Sequence, residues 1–367
     1  MSFLLLMDSP SLTDLVRAMF AANEQGIWLD PSDFSTLYQD ASGTTPVTAL
    51  GQPVGLALDK RLGLALGPEL LVDLDPLNST ISTDLPPLTC TSTAGSGAFG
   101  ASKAALVQAG KTYRVLLSWS GNGGGSAIYV QVGSQTVVAG SAASGSVTIN
   151  APTTATGAIA VYRASTAIGQ TFSIASLSVR EIAGNHAYQT TSAARQTAQS
   201  NYLSLDKTDD HMLVAAGGAG TTGFLLVAGI MVPAAGTART LWSDRGTNTG
   251  YKVGIDASNQ IFLSAGNGAA FVTATGPALV AGTKYVITAW HDGANLNISV
   301  NNGAPTQVAF VTATAGTATF TIGKSNGAAT EYWGDRIYGM VYRKNDRSSA
   351  GQRSSLYSYM VGKMGGL

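Results

Sequence analysis

The chain predicts a mainly β protein, with a short N-terminal helix followed by two antiparallel β-sandwich (jelly-roll) domains. Three observations lead there. Apolar and polar residues alternate with a period of two in run after run. Glycine is abundant, at 44 of 367 residues, and punctuates those runs. Charged residues make up 11% while hydrophobic ones make up 45%. That balance suits short strands and tight turns better than helical bundles, because Gly and Thr are weak helix formers. The length calls for two or three domains, and texture divides the chain into residues 1–65, 66–183 and 184–367.

The first segment begins with an amphipathic helix. Ser11 is its cap, Asp14 lies in the first turn, and Leu12, Leu15, Val16, Met19 and Phe20 form one apolar stripe before Gly26 ends the run. So short a helix cannot bury its stripe alone. Its own segment, sister subunits or another protein could cover it. A loop-like stretch with Trp28, Phe34 and Tyr38 follows.

The second segment is all strand and turn. Tyr113, Val115, Leu117 and Trp119 alternate in phase and read as core. Further period-two runs begin at Ile128, Ser146, Ala158 and Phe172, and Gly121-Asn-Gly-Gly-Gly reads as a flexible turn. Strands at this spacing predict an antiparallel sandwich.

The third segment continues the pattern with runs at Gly223-Phe-Leu-Leu-Val, Tyr251-Lys-Val-Gly-Ile and Gln260-Ile-Phe-Leu-Ser. A hairpin is predicted across His291-Asp-Gly-Ala, a long strand at Asp335-Arg-Ile-Tyr-Gly-Met-Val-Tyr, and a terminal helix carrying Leu356, Tyr359 and Met360.

Charge excludes some functions. With 21 basic and 21 acidic residues the net charge is zero, so no groove for nucleic acid and no membrane-surface patch is expected. Cys90 stands alone, which rules out an internal disulfide or a cysteine zinc site and leaves a buried hydrophobe as the ordinary reading. Residues 1–7 are apolar but lack a basic flank, and no apolar run approaches the roughly 20 residues of a membrane span. A chain made in a cytoplasm is expected. Its sparsely charged surface suits a permanent place in a larger assembly.

Candidate chemistry is thin. Glycan hydrolysis needs two suitably spaced carboxyl groups, and Glu24, Glu69, Glu181 and Glu331 form no such motif. His186, His211 and His291 are scattered. His291 falls in a turn, where it would face solvent, and His211 follows an acidic pair, as in a surface salt bridge. No cofactor is therefore expected, with calcium as the exception. Asp206, Asp209 and Asp210 could hold that ion or could build an Asx-turn. Saccharide platforms would come from Trp242, Tyr251, Trp290, Tyr332 and Trp333. Trp242 precedes Asp244 and Arg245, and Tyr332 and Trp333 precede Asp335, so each aromatic has polar groups to orient hydroxyls. Core packing is the ordinary alternative for each ring.

Three stretches carry resemblances. Asp30-Pro-Ser-Asp, Leu37-Tyr-Gln-Asp and Gly43-Thr-Thr-Pro-Val, within residues 26–60, resemble a segment near the N-terminus of phage and prophage tail-associated or fibre-like proteins. Leu66-Gly-Pro-Glu-Leu-Leu-Val, the strand after Gly110 and the run from Phe172 resemble a jelly-roll carbohydrate-binding module, although Asp73-Leu-Asp-Pro replaces the family's usual asparagine-glycine and aromatic. Residues 201–367 resemble a laminin-G or concanavalin-A-like domain.

These resemblances imply a virion protein assembled in the host cytoplasm. Residues 1–65 would attach it to other virion proteins through Leu12, Leu15, Val16, Met19, Phe20 and Trp28. The sandwiches would meet host-surface glycan, and the assembly would be a homo-oligomer, a trimer. A tail-associated receptor-binding or fibre protein is the leading expectation. A capsid-attached decoration or head-fibre protein is the alternative, and a depolymerase is the third.

Overall fold

The computed structural model describes residues 11–20, 24–123, 126–165, 167–214, 220–221, 223–316, 320–326, 330–344 and 348–367. The apolar opening of residues 1–7 and the last two glycines of the turn at residues 121–125 lie outside them. Among the described residues the protein is mainly β, with antiparallel sheets stacked as two sandwiches and two helices, α1 (Leu12–Ala18) and α2 (Ala350–Lys363). No helix among them is long and apolar enough to cross a membrane.

The middle sandwich stacks a five-stranded sheet on a six-stranded one. Its core follows the sequence alternation. Strand Thr112–Ser120 turns Tyr113, Val115, Leu117 and Trp119 inward and leaves Leu116 exposed. Facing strands contribute Phe99, Ile128, Val130, Ile159 and Val161. Cys90 is fully buried among them, and burial pushes its thiol up to about 12, so it behaves as a small hydrophobe.

The C-terminal sandwich pairs an eight-stranded sheet with a nine-stranded one. The predicted hairpin forms from strands Lys284–His291 and Asn295–Val300, with Gly293 at φ +86° in its turn. The long final strand Arg336–Lys344 lies in the middle of the eight-stranded sheet, where it is buried on both faces. Helix α2 starts with a capping box between Ser349 and Gln352, and it buries Leu356, Tyr359 and Met360 against that sheet.

The N-terminal segment does not stand apart, which corrects the expectation of a separate attachment unit. Strand Gly26–Leu29 pairs with Arg336–Lys344 in the eight-stranded sheet. Strands Leu37–Tyr38 and Leu56–Ala57 extend the nine-stranded sheet through Ala187–Tyr188. Ile27, Leu29, Leu37, Val47, Val54 and Ala57 belong to the same core cluster as Leu226, Trp242 and Met340. The physical reason is simple. A short stretch with one seven-residue helix cannot bury its apolar residues alone, whereas the part of Arg336–Lys344 beyond Leu203–Ser204 and the sheet edge at Ala187–Tyr188 can take them.

The attachment stripe is likewise spent inside the molecule. Val16, Met19, Phe20 and Trp28 are buried with Leu225, Tyr338, Leu356 and Met360, beneath α2. Of the six expected attachment residues, Leu12 is exposed and Leu15 half-buried. The internal partner that the helix needed is therefore the C-terminal sandwich.

The Gly43 turn locks the segment to the middle sandwich. Asp40 accepts hydrogen bonds from Ser42 Oγ at 2.7 Å and from the Thr44 and Thr45 backbone at 3.1 and 2.7 Å. Asn150 N donates to Ser42 O at 2.8 Å, and Asn150 Nδ2 donates to Gly43 O at 3.0 Å. Gly43 sits at φ +60°, and a Cβ there would lie 2.7 Å from the Asn150 side chain. Only glycine accommodates both constraints.

Candidate functional site

The site lies on the outer face of the nine-stranded sheet, where three neighbouring strands are in register. Tyr251–Ile255, Gln260–Gly266 and Phe271–Ala278 alternate inward and outward. Tyr251, Val253, Ile261, Leu263 and Ala274 fill the core. The opposite phase brings Lys252, Ser264 and Thr273 into one row, and Gly254, Phe262 and Thr275 into the next. Arg245 and Asp256 close the two ends of the resulting cleft, which holds about 350 Å³. From Phe271 to Thr275 the strand runs roughly 14 Å at ~3.4 Å per residue.

Two cations rest on two rings. The Arg245 guanidinium lies 3.8 Å from the Phe271 ring centre, and Lys252 Nζ lies 5.1 Å from that of Phe262. Lys252 also donates to Glu331 Oε2 at 2.6 Å, an oxygen that Thr240 Oγ1 reaches at 2.9 Å. Thr273 Oγ1 donates to Ser264 Oγ at 3.1 Å. Asp256 Oδ1 accepts from the Ser258 and Gln260 backbone at 2.8 and 2.9 Å, which fixes the turn at that end.

Burial works to raise the Glu331 carboxyl, but the hydrogen bond and charge of Lys252 outweigh it and hold the group below the usual range. A glycosidase acid needs the opposite shift. The cleft thus offers ring edges, hydroxyls and fixed charges for binding.

Of the six expected glycan-binding residues, only Arg245 lines this cleft. Trp242 and Trp333 are fully buried, which corrects their reading as platforms. Trp242 packs between Phe224, Phe320 and Tyr342, with ring centres 5.2 to 5.4 Å away. A ring that closes a sandwich core gains more from burial than it could at a wet surface. Asp244 is also fully buried and accepts from Tyr251 N at 2.6 Å. Tyr332 packs near His211, and its carbonyl accepts from Arg239 at 3.2 Å. Asp335 accepts from Arg336 N at 2.8 Å, and burial raises its carboxyl.

Tyr251 is buried as well, and its hydroxyl bonds His291 Nδ1 at 2.8 Å. His291 is therefore a core residue at a strand end and not a solvent-facing turn residue. His211 makes no salt bridge among the described residues. Its Nδ1 lies 2.7 Å from Asp209 O, and Gln189 packs beside it. Trp290 borders a smaller hollow of about 160 Å³, but Arg353 covers its ring at 4.5 Å.

The carboxylates of Asp206, Asp209 and Asp210 converge within 4.8 Å. Asp206 Oδ1 accepts from the backbone of Thr208, Asp209 and Asp210 at 2.8 to 3.3 Å, and Asp210 Oδ2 accepts from Asp206 N at 2.8 Å. Those bonds build an Asx-turn and already engage Asp206 Oδ1 and Asp210 Oδ2.

The residues that sequence reasoning missed are Lys252, Asp256, Phe262, Ser264, Phe271, Thr273 and Thr275. Their signal was the outward phase of strands recognised for their inward phase. No single strand reveals it, because the cleft exists only once three strands pair.

A scan against protein-family models matches none. No curated protein matches the sequence. Among solved structures, Trypanosoma rangeli sialidase in complex with the inhibitor DANA is similar at a TM-score of 0.38 and 16% identity, over 50% of this chain and 30% of that one. The Ruminococcus gnavus IT-sialidase CBM40 bound to alpha2,6 sialyllactose gives a TM-score of 0.31 and 14% identity, over 37% of this chain and 84% of that one. The binding domain of Paraclostridial Mosquitocidal Protein 1 gives 0.35 and 9%, over 43% of each chain. The chain thus spans less than a third of the sialidase it matches. Likeness this slight assigns neither ligand nor activity.

Proposed function

We propose that the protein is a non-enzymatic structural protein of a bacteriophage particle, tail-associated, which meets host-surface saccharide through the outer-face cleft of its C-terminal sandwich. The observation that carries the binding part is the register of Lys252, Ser264 and Thr273 beside Phe262 and Thr275. Ring edges interleaved with hydroxyls on a rigid sheet suit a sugar's mixed apolar and hydroxylated surface. Glu331 is held ionised by Lys252, which unfits it for the acid role in glycan hydrolysis. The virion part rests on the resemblance of residues 26–60 to phage tail-associated and fibre-like proteins.

Two measurements test the two parts. Mass spectrometry of density-purified particles should find the chain as a constituent, and its absence overturns the virion reading. A bacterial polysaccharide array should show binding by the full chain that is lost in a Phe262→Ala, Thr275→Ala double variant. No binding to any polysaccharide overturns the saccharide reading.

A further inference from the structure

The cleft is chemically lopsided. Lys252 is matched by Glu331 at 2.6 Å, so that pair is close to neutral as a ligand would meet it. Asp256 lies at the far end, with one oxygen held by two backbone N–H groups. Arg245 is different. Its backbone N donates to Ser243 Oγ at 3.1 Å, and its guanidinium makes no direct hydrogen bond or salt bridge among the described residues, although its charge helps Lys252 hold the Glu331 carboxyl low. It is half-buried and stacked on Phe271 at 3.8 Å. Stacking uses the flat face of the guanidinium and leaves its edge, with the N–H donors, free. Such a group is held in place before any ligand arrives, so little rotamer freedom is lost on binding.

An edge-on guanidinium is shaped for bidentate pairing with a carboxylate. The hydroxyls of Ser264, Thr273 and Thr275 begin one row away, at the spacing of about 7 Å between alternate strand residues. A ligand that satisfies both carries one carboxylate and a run of hydroxyls. We propose that the cleft selects an acidic saccharide, one containing hexuronic or sialic acid, and seats its carboxylate on Arg245. The carboxylate end is the Arg245 end, because Asp256 repels an anion at the other. This rests on the saccharide reading above and names its ligand class.

The test uses the full chain and a panel of oligosaccharides carrying hexuronic or sialic acid. Each is paired with its methyl ester, alongside neutral oligosaccharides. Calorimetry should show at least one acid binding about tenfold or more tighter than its ester, the margin expected of a charge-assisted pair. Arg245→Gln should abolish that difference, and Arg245→Lys should restore only part of it, because an ammonium lacks the planar fork. Raising salt should weaken the acid and leave the ester unchanged. If acids and esters bind alike, or only neutral sugars bind, the acidic preference is wrong while saccharide binding stands. If nothing on the panel binds, both are overturned. Thermal unfolding of Arg245→Gln within about 2 °C of the parent shows that the fold is intact.

Discussion

Trp28 and Tyr359 lie 331 positions apart in the chain, yet Trp28 Nε1 donates to the Tyr359 hydroxyl at 2.9 Å. Their rings meet edge to face at 5.9 Å. Around them Asp30 Oδ2 accepts from Lys60 Nζ at 2.9 Å and from Lys363 Nζ at 2.7 Å, so the first strand, the end of the N-terminal segment and the last turn of α2 share one carboxylate. Burial opposes ionisation of Asp30, but Lys363, Ser32 and Lys60 together hold it below the usual range. The two ends of the chain are thereby closed on each other.

Tyr359→Phe should cost about 1–3 kcal/mol, because it strands a buried indole N–H while keeping the ring. Urea unfolding measures it. A loss below about 0.5 kcal/mol would mean that the contact does not contribute to closure.

Deleting residues 1–60 should unfold the C-terminal sandwich and not release a folded one. The deletion strips Ile27, Leu29, Leu37, Val47, Val54 and Ala57 from its core and uncovers the edge of a buried strand. The five large side chains among them, at roughly 1.5–3 kcal/mol each, together match the whole stability of an ordinary domain. A cooperative melt of residues 61–367 near the parent's temperature would contradict this.

Trp242→Ala should lower stability by about 3–5 kcal/mol through a core cavity. Trp333→Ala should behave alike, since both rings are fully buried. Neither acts by touching ligand. Selective loss of saccharide binding in either variant, at parental stability, would return these rings to the surface.

His186 fixes a pH dependence. Its Nδ1 accepts from Asp59 N at 2.9 Å and its Nε2 donates to Ile182 O at 3.2 Å, so the neutral ring is the one that fits. Burial pushes it down to about 4 from 6.5. A lowered histidine contributes stability that is present above its unfolded value and lost as pH falls from about 6.5 toward 4. Asp59 beside it runs the other way, because burial raises it to about 6 and its contribution fades as pH rises through that value. His186→Gln isolates the first effect. Its cost in denaturant unfolding at about pH 7.5 should shrink by roughly 2–3 kcal/mol at about pH 4.5. An equal cost at both pH values would contradict a buried neutral ring.

Burial raises Asp210 to about 6, helped by the charges of Asp206 and Asp209. Its contribution is therefore favourable at low pH and lost as pH rises through 6. Asp210→Asn should stabilise the protein by about 1–2 kcal/mol more at about pH 7.5 than at about pH 5. Millimolar calcium should leave the unfolding midpoint of the parent unchanged, because the carboxylates serve the turn. A calcium-dependent rise that Asp210→Asn removes would instead identify a cation site.

The inward phase of nearly every long strand could be read from the chain, because burial imposes a local period of two that needs no partner. Ser11 and Asp14 marked α1, and the rows Tyr113 to Trp119 marked a core face, by the same local logic. Position across the sheets could not be read that way. That Trp28 would lie under Tyr359 and that Trp242 would close a core while Arg245 three residues later lined a cleft depend on packing between distant segments, and the row of Lys252, Ser264 and Thr273 depends on the register of three successive strands. Local patterning decides which side of a strand is apolar. Only the assembled sheets decide what each side faces, since that energy comes from contacts the chain makes with itself across hundreds of residues.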